Sequence, residues 1–87
     1  MKIKSDYMLC EIAGEQIVVP YGAAASDFHG MLRLNKTGTA LWKMLERGAE
    51  IEELVQMLVK DFDAPENDAK NDAAEFVEKL RKIGCLE

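Results

Sequence analysis

Ile51, Leu54, Val55, Leu58, Val59 and Phe62 recur at spacings of three and four residues. Only an α-helix brings positions so spaced onto one face. The spacing predicts a helix from about Glu50 to Phe62 carrying a single apolar stripe. Glu50, Glu52 and Glu53 crowd its first turn, where the macrodipole favours anions. A helix of this length is marginal alone in water, so the rest of the chain must supply a surface to cover the stripe.

Two more helices flank it. Asn35 is a good N-cap, and Lys36–Arg47 follow in helix-forming composition. Leu41, Trp42, Met44 and Leu45 give this segment a broad apolar face, and Gly48 is a fitting stop. After Phe62, Asp63-Ala-Pro-Glu66 restarts a helix: Asp63 can cap, Pro65 suits an early helical position, and Glu66 completes a capping box. Asn67 is a rival cap. Ala69, Ala73, Phe76, Val77, Leu80 and Ile83 form the stripe of this third helix, which Gly84 ends. Asp68, Asp72, Glu75 and Glu78 precede Lys79, Arg81 and Lys82, so its charges run with the dipole. Cys85-Leu86 either returns along a sheet or packs beneath it.

The first third of the chain has a different period. Tyr7–Ala13 and Gln16–Tyr21 are β-prone runs separated by Gly14-Glu15, which reads as a tight hairpin turn. Pro20 removes a ladder donor and therefore belongs at a strand end or an edge. The register is open: either Tyr7 and Leu9 face inward, or Met8, Cys10 and Ile12 do. Gly22–Gly30, with its alanines, Ser26 and Asp27, reads as a loop. Met31-Leu32-Arg33-Leu34 is a short third strand. The order β-β-β-α-α-α predicts an α+β fold, a layer of helices on a small antiparallel sheet. At 87 residues the chain is one domain, residues 1–87.

Apolar residues make up 48% and charged residues 31%, a globular balance that excludes wholesale disorder. No run approaches the roughly 18 apolar residues of a membrane helix. No apolar signal core follows Lys2 and Lys4, so the expected location is the cytoplasm. Residues 1–45 hold five basic and four acidic side chains, whereas residues 46–87 hold six and twelve. Nucleic-acid binders draw affinity from basic side chains that release counterions, so the acidic second half argues against that class. Cys10 and Cys85 supply neither a structural zinc set nor a CxxC pair. Two small buried or half-buried thiols are expected, with a disulfide as the minor alternative.

Catalytic chemistry is thin. His29, in the loop, is the one histidine. Ser5 and Ser26 lack a nucleophile elbow. The glycines form no phosphate-binding loop, and the carboxylates read as solvated helix faces. No cofactor and no metal are expected, and the chain reads as a non-enzyme. What stands out is an open sheet edge. Three strands cannot close a barrel, and Met31–Leu34 has neither proline nor a charge run to protect it. Such an edge accepts an extended peptide as an added strand, unless a loop, a terminus or a second copy of the chain covers it.

Glu11-Ile12-Ala13-Gly14-Glu15, Val18-Val19-Pro20, Leu34-Asn35-Lys36-Thr37-Gly38 with Leu41-Trp42 and Leu45, then Glu53-Leu54-Val55 and Phe76-Val77 with Leu80 and Gly84 resemble the pattern of PqqD-like proteins. The resemblance runs from about Tyr7 to Leu86, and its Leu-Asn-x-Thr-Gly-x-x-Leu-Trp stretch is the most specific part. It implies a winged-helix-like fold and a recognition element for ribosomally made, post-translationally modified peptides. It also implies two partners: the leader of a precursor peptide, and a modifying enzyme of the radical S-adenosylmethionine type, as in pyrroloquinoline quinone synthesis. By the same resemblance the leader lies beside the third strand, Met31, Leu32, Arg33 and Leu34, in a groove bounded by the third helix through Ala73, Phe76, Val77 and Leu80. Only some of these can face the groove, since the rest must face the core. Arg33 is a candidate partner for an acidic leader residue. The rival readings are a winged-helix DNA binder and a scaffold that self-associates as a homodimer through the same edge. The first is opposed by six acids against the single base Lys70 between Asp63 and Glu78.

Overall fold

The computed structural model describes residues 1–22 and 32–87. Strands β1 (Tyr7–Ile12), β2 (Glu15–Pro20) and β3 (Leu32–Leu34) form an antiparallel sheet in that order. Helices α1 (Lys36–Arg47), α2 (Ile51–Phe62) and α3 (Glu66–Ile83) follow. The α+β class and the order of elements agree with the sequence reading.

The hairpin turn lies one residue earlier than expected. Ala13 and Gly14 are its two central residues, with φ of 53° and 80°, and Glu15 already belongs to β2. Two left-handed residues in a two-residue loop match the right-handed twist of the flanking strands, a match that Gly14-Glu15 could not provide without forcing glutamate into that region. Pro20 ends β2, as expected.

The register is settled by which face meets the helices. Leu9 lies opposite Val18, and Val18 opposite Leu32. With the two-residue period of a strand, Tyr7, Leu9, Val18 and Leu32 point at the helices and Met8, Cys10, Ile12, Ile17 and Arg33 point away. Val18 is fully buried, whereas Met8 and Ile12 are 45% and 49% exposed. Ile17 is buried too but stands outside the main core cluster.

That core joins Trp42 and Leu45 of α1, Leu54 and Leu58 of α2, and Ala69, Ala73, Val77 and Leu80 of α3. Each fully buried large apolar side chain contributes roughly 1.5–3 kcal/mol. Ala69 and Ala73, one turn apart and fully buried, let α3 approach its neighbours closely.

Helix boundaries follow their caps. Asn35 accepts the Gly38 N–H at 2.8 Å, and Gly48 and Gly84, both at positive φ, end α1 and α3. At α2 the Glu53 carboxylate accepts the Glu50 N–H at 2.9 Å. Asp63 does not start α3. It ends α2 in the left-handed conformation, and Pro65 stands as the N-cap of α3. The chain must reverse after Phe62, and a short polar residue tolerates the left-handed turn that does so. After α3, Leu86 pairs with Ile3 in an isolated antiparallel bridge beside the sheet. The Lys4 N–H also donates to the Cys85 carbonyl at 2.8 Å. Among the described residues no helix is long and apolar enough to cross a membrane.

Candidate functional site

β3 lies at one end of the sheet order and has β2 on one side only. Among the described residues no other strand pairs with it, and no backbone hydrogen bond joins it to anything but β2. Among the described residues, then, its outer edge has N–H and C=O groups with no ladder partner.

Two clefts open beside that edge. The first, of about 220 Å³, has Gly38 and Leu41 of α1, Leu58 of α2, and Asp72 and Phe76 of α3 around it. Gly38 is the meeting point. A Cβ placed there would stand 3.5 Å from Phe76 Cε1 and 3.6 Å from Leu34 Cβ. Leu34 and Phe76 are both half-buried, so apolar surface remains for a visiting side chain. Asp72 brings a carboxylate near the start of α1, whose own first turn holds no acid.

The second cleft, of about 380 Å³, has mixed walls that carry two cations and one acid. It lies where β3 runs into α1 and is lined by Glu15, Gln16, Arg33, Lys36 and Thr39 among others. Arg33 Nη1 lies 3.1 Å from Glu15 Oε1, with the two side chains 68% and 53% exposed. The Thr39 hydroxyl is buried without a hydrogen-bond partner. A third hollow, of about 300 Å³, lies between α2 and α3 with Ile51, Val55, Glu66 and Lys70 on its walls. It shares no lining residue with the other two.

The residues expected to line a groove divide by burial. Leu32, Ala73, Val77 and Leu80 are 6%, 0%, 4% and 0% exposed and pack into the core. Leu34, Arg33 and Phe76 keep surface at the edge. Met31 lies outside the described residues, as does His29. Gly38 and Asp72 were not among the expected site residues. Asp72 was within reach of sequence reasoning, because it stands one helical turn before Phe76 and shares its face. Among the described residues no group of three His, Cys, Asp or Glu side chains could hold a metal ion. Cys10 and Cys85 are free thiols. Burial pushes Cys85 up to about 11, with Lys4 opposing and Asp6 reinforcing.

Comparison with solved structures shows the same fold in "TbiB1 in Complex with the TbiA(beta) Leader Peptide". That chain is 22% identical with a TM-score of 0.79, and the match covers all of this chain and 95% of the other. "Lasso peptide synthetase B1 complexed with the leader peptide" is 18% identical with a TM-score of 0.75, over 97% and 93% of the two chains. No curated protein matches the sequence. The family model described as "Coenzyme PQQ synthesis protein D (PqqD)" matches residues 15–86, and the chain belongs to that family.

Proposed function

We propose that this chain is a leader-peptide recognition module that takes a precursor peptide as an added strand on β3 and presents it to a modifying enzyme. The observation that carries the reading is the outer edge of Leu32–Leu34, unpaired among the described residues, beside the half-buried Leu34 and Phe76 side chains that meet at Gly38. Family membership supports it, as do two structures of the same fold whose titles name leader-peptide complexes.

The physical division of labour is simple. Backbone hydrogen bonds along the edge give affinity that ignores sequence, roughly 0.5–1.5 kcal/mol net for each. Apolar side chains entering the cleft give selectivity, at about 25 cal/mol per Å² buried. Ordering the peptide removes roughly 2–5 kcal/mol. A peptide tethered this way meets its enzyme at high effective concentration. The module needs no catalytic group of its own. The partner enzyme is of the radical S-adenosylmethionine type if the chain serves quinone synthesis, the pathway for which its family is named.

The test is a heteronuclear NMR titration with the leader segment of the precursor peptide encoded beside this chain. Amides of Leu32, Arg33, Leu34 and Phe76 are expected to shift together. Binding that leaves all four unmoved and perturbs another surface refutes the proposal. Sedimentation over a range of concentrations, run without peptide, separates strand addition by a leader from pairing of two copies at the same edge.

A further inference from the structure

The cleft at the end of β3, lined by Arg33 and Lys36, adds a chemical preference to that edge. Arg33 lies on the face of the sheet turned away from the helices, and Leu32 and Leu34 lie on the opposite face. A strand added to β3 keeps the same alternation. The residue placed opposite Arg33 then projects on Arg33's own face, with Cβ atoms about 4.5–5.5 Å apart. The residues before and after it project toward the apolar side, where Leu34 and Phe76 converge on Gly38.

The charges around this position make it one for a carboxylate. Arg33 and Lys36 both line the cleft, and Glu15 is the only acid among its lining residues. The Arg33–Glu15 pair is largely exposed, so sharing the guanidinium with a second carboxylate sacrifices little. Lys36 has no ion pair among the described residues. The start of α1 adds positive potential of its own, since its first turn holds no acid, and Asp72 of α3 lines the neighbouring cleft rather than this one.

Resting on the strand-addition reading, we infer that the peptide recognised here carries an apolar–acidic–apolar triplet, its acidic side chain facing Arg33 and Lys36 and its apolar neighbours turned to the half-buried Leu34 and Phe76 side chains.

The test is selection from a display library of short random peptides, run in parallel on the wild-type chain, Arg33→Gln and Arg33→Glu. Arg33 is exposed, so these variants are expected to keep the fold, and circular dichroism checks it. Wild-type binders should be enriched in Glu or Asp at one position between apolar residues. Replacing that acid by Lys in a selected peptide should weaken binding by about five- to tenfold. Arg33→Gln should erase the preference, and Arg33→Glu should reverse it toward Lys and Arg. Selected peptides that shift the β3 amides yet show no acidic enrichment and no response at Arg33 refute the triplet alone. A selection that yields no binders, or only binders acting elsewhere on the surface, refutes strand addition and the triplet with it.

Discussion

Gly38→Ala sets two opposed effects against each other in the first turn of α1. Alanine gains about 0.5 kcal/mol over glycine there, the low end of the helix-interior value. The new Cβ would stand 3.1 Å from Asn35 Oδ1, the atom that accepts the Gly38 N–H at 2.8 Å. The oxygen must retreat by a few tenths of an ångström, which stretches the cap and forfeits part of its roughly 1 kcal/mol. Phe76 Cε1 at 3.5 Å and Leu34 Cβ at 3.6 Å are at ordinary contact distance and need not move. The two effects nearly cancel, so Gly38→Ala should change unfolding free energy by less than about 0.5 kcal/mol. Asn35→Ala alone should cost about 1 kcal/mol. In the Asn35→Ala background the crowded oxygen is gone, and adding Gly38→Ala should then stabilise by about 0.5 kcal/mol. Urea unfolding of the four proteins measures this cycle, and unchanged m-values guard the comparison. If Gly38→Ala costs more than about 2 kcal/mol in both backgrounds, the crowding lies with Leu34 and Phe76, and the cleft floor is tighter than its distances imply.

Three other outcomes follow from the backbone and the buried thiol. Ala13→Asn places a residue tolerant of φ > 0 at the first turn position and should stabilise by about 0.5–1 kcal/mol in denaturant unfolding; no gain would contradict the turn assignment. Asp63→Gly relieves both the left-handed strain and the acid at the C-terminal end of α2, for about 1 kcal/mol in the same assay, and a loss instead would show that the carboxylate has a positive role. The third concerns pH. The unfolded chain releases the Cys85 proton near pH 9.0 and the folded chain near 11, so in that window the folded state binds more protons. Stability from this group is fully present below pH 9.0 and falls as pH rises through the window, by at most roughly 2–3 kcal/mol. Cys85→Ala should have a lower plateau but a shallower fall between the two values, and equal slopes for both proteins would rule the effect out.

The helices were legible because their signal is redundant. Six apolar residues of α2 fit one period, and the caps at Asn35, Gly48 and Gly84 agree with it. Asp63 misled because a short polar residue serves equally well to start a helix or to end one in a left-handed turn. The strand register was illegible for a different reason. Both faces of β1 are apolar, with Tyr7 and Leu9 on one and Met8, Cys10 and Ile12 on the other, so alternation carried no information until the helices chose a side. The site was half legible. A third strand with neither proline nor a charge run could be read from its composition. Which α3 residues face that edge could not, because Phe76 sits at the margin of the same stripe that buries Ala73, Val77 and Leu80.

On the strand-addition reading, the abrupt end of β3 at α1 limits how far a docked strand can pair. One residue, Asn35, separates Leu34 from the first turn of α1, so pairing in that direction runs into a helix. A guest strand would gain no further main-chain bonds past that point, and differences in grip between such partners would be expressed mostly in how fast they leave.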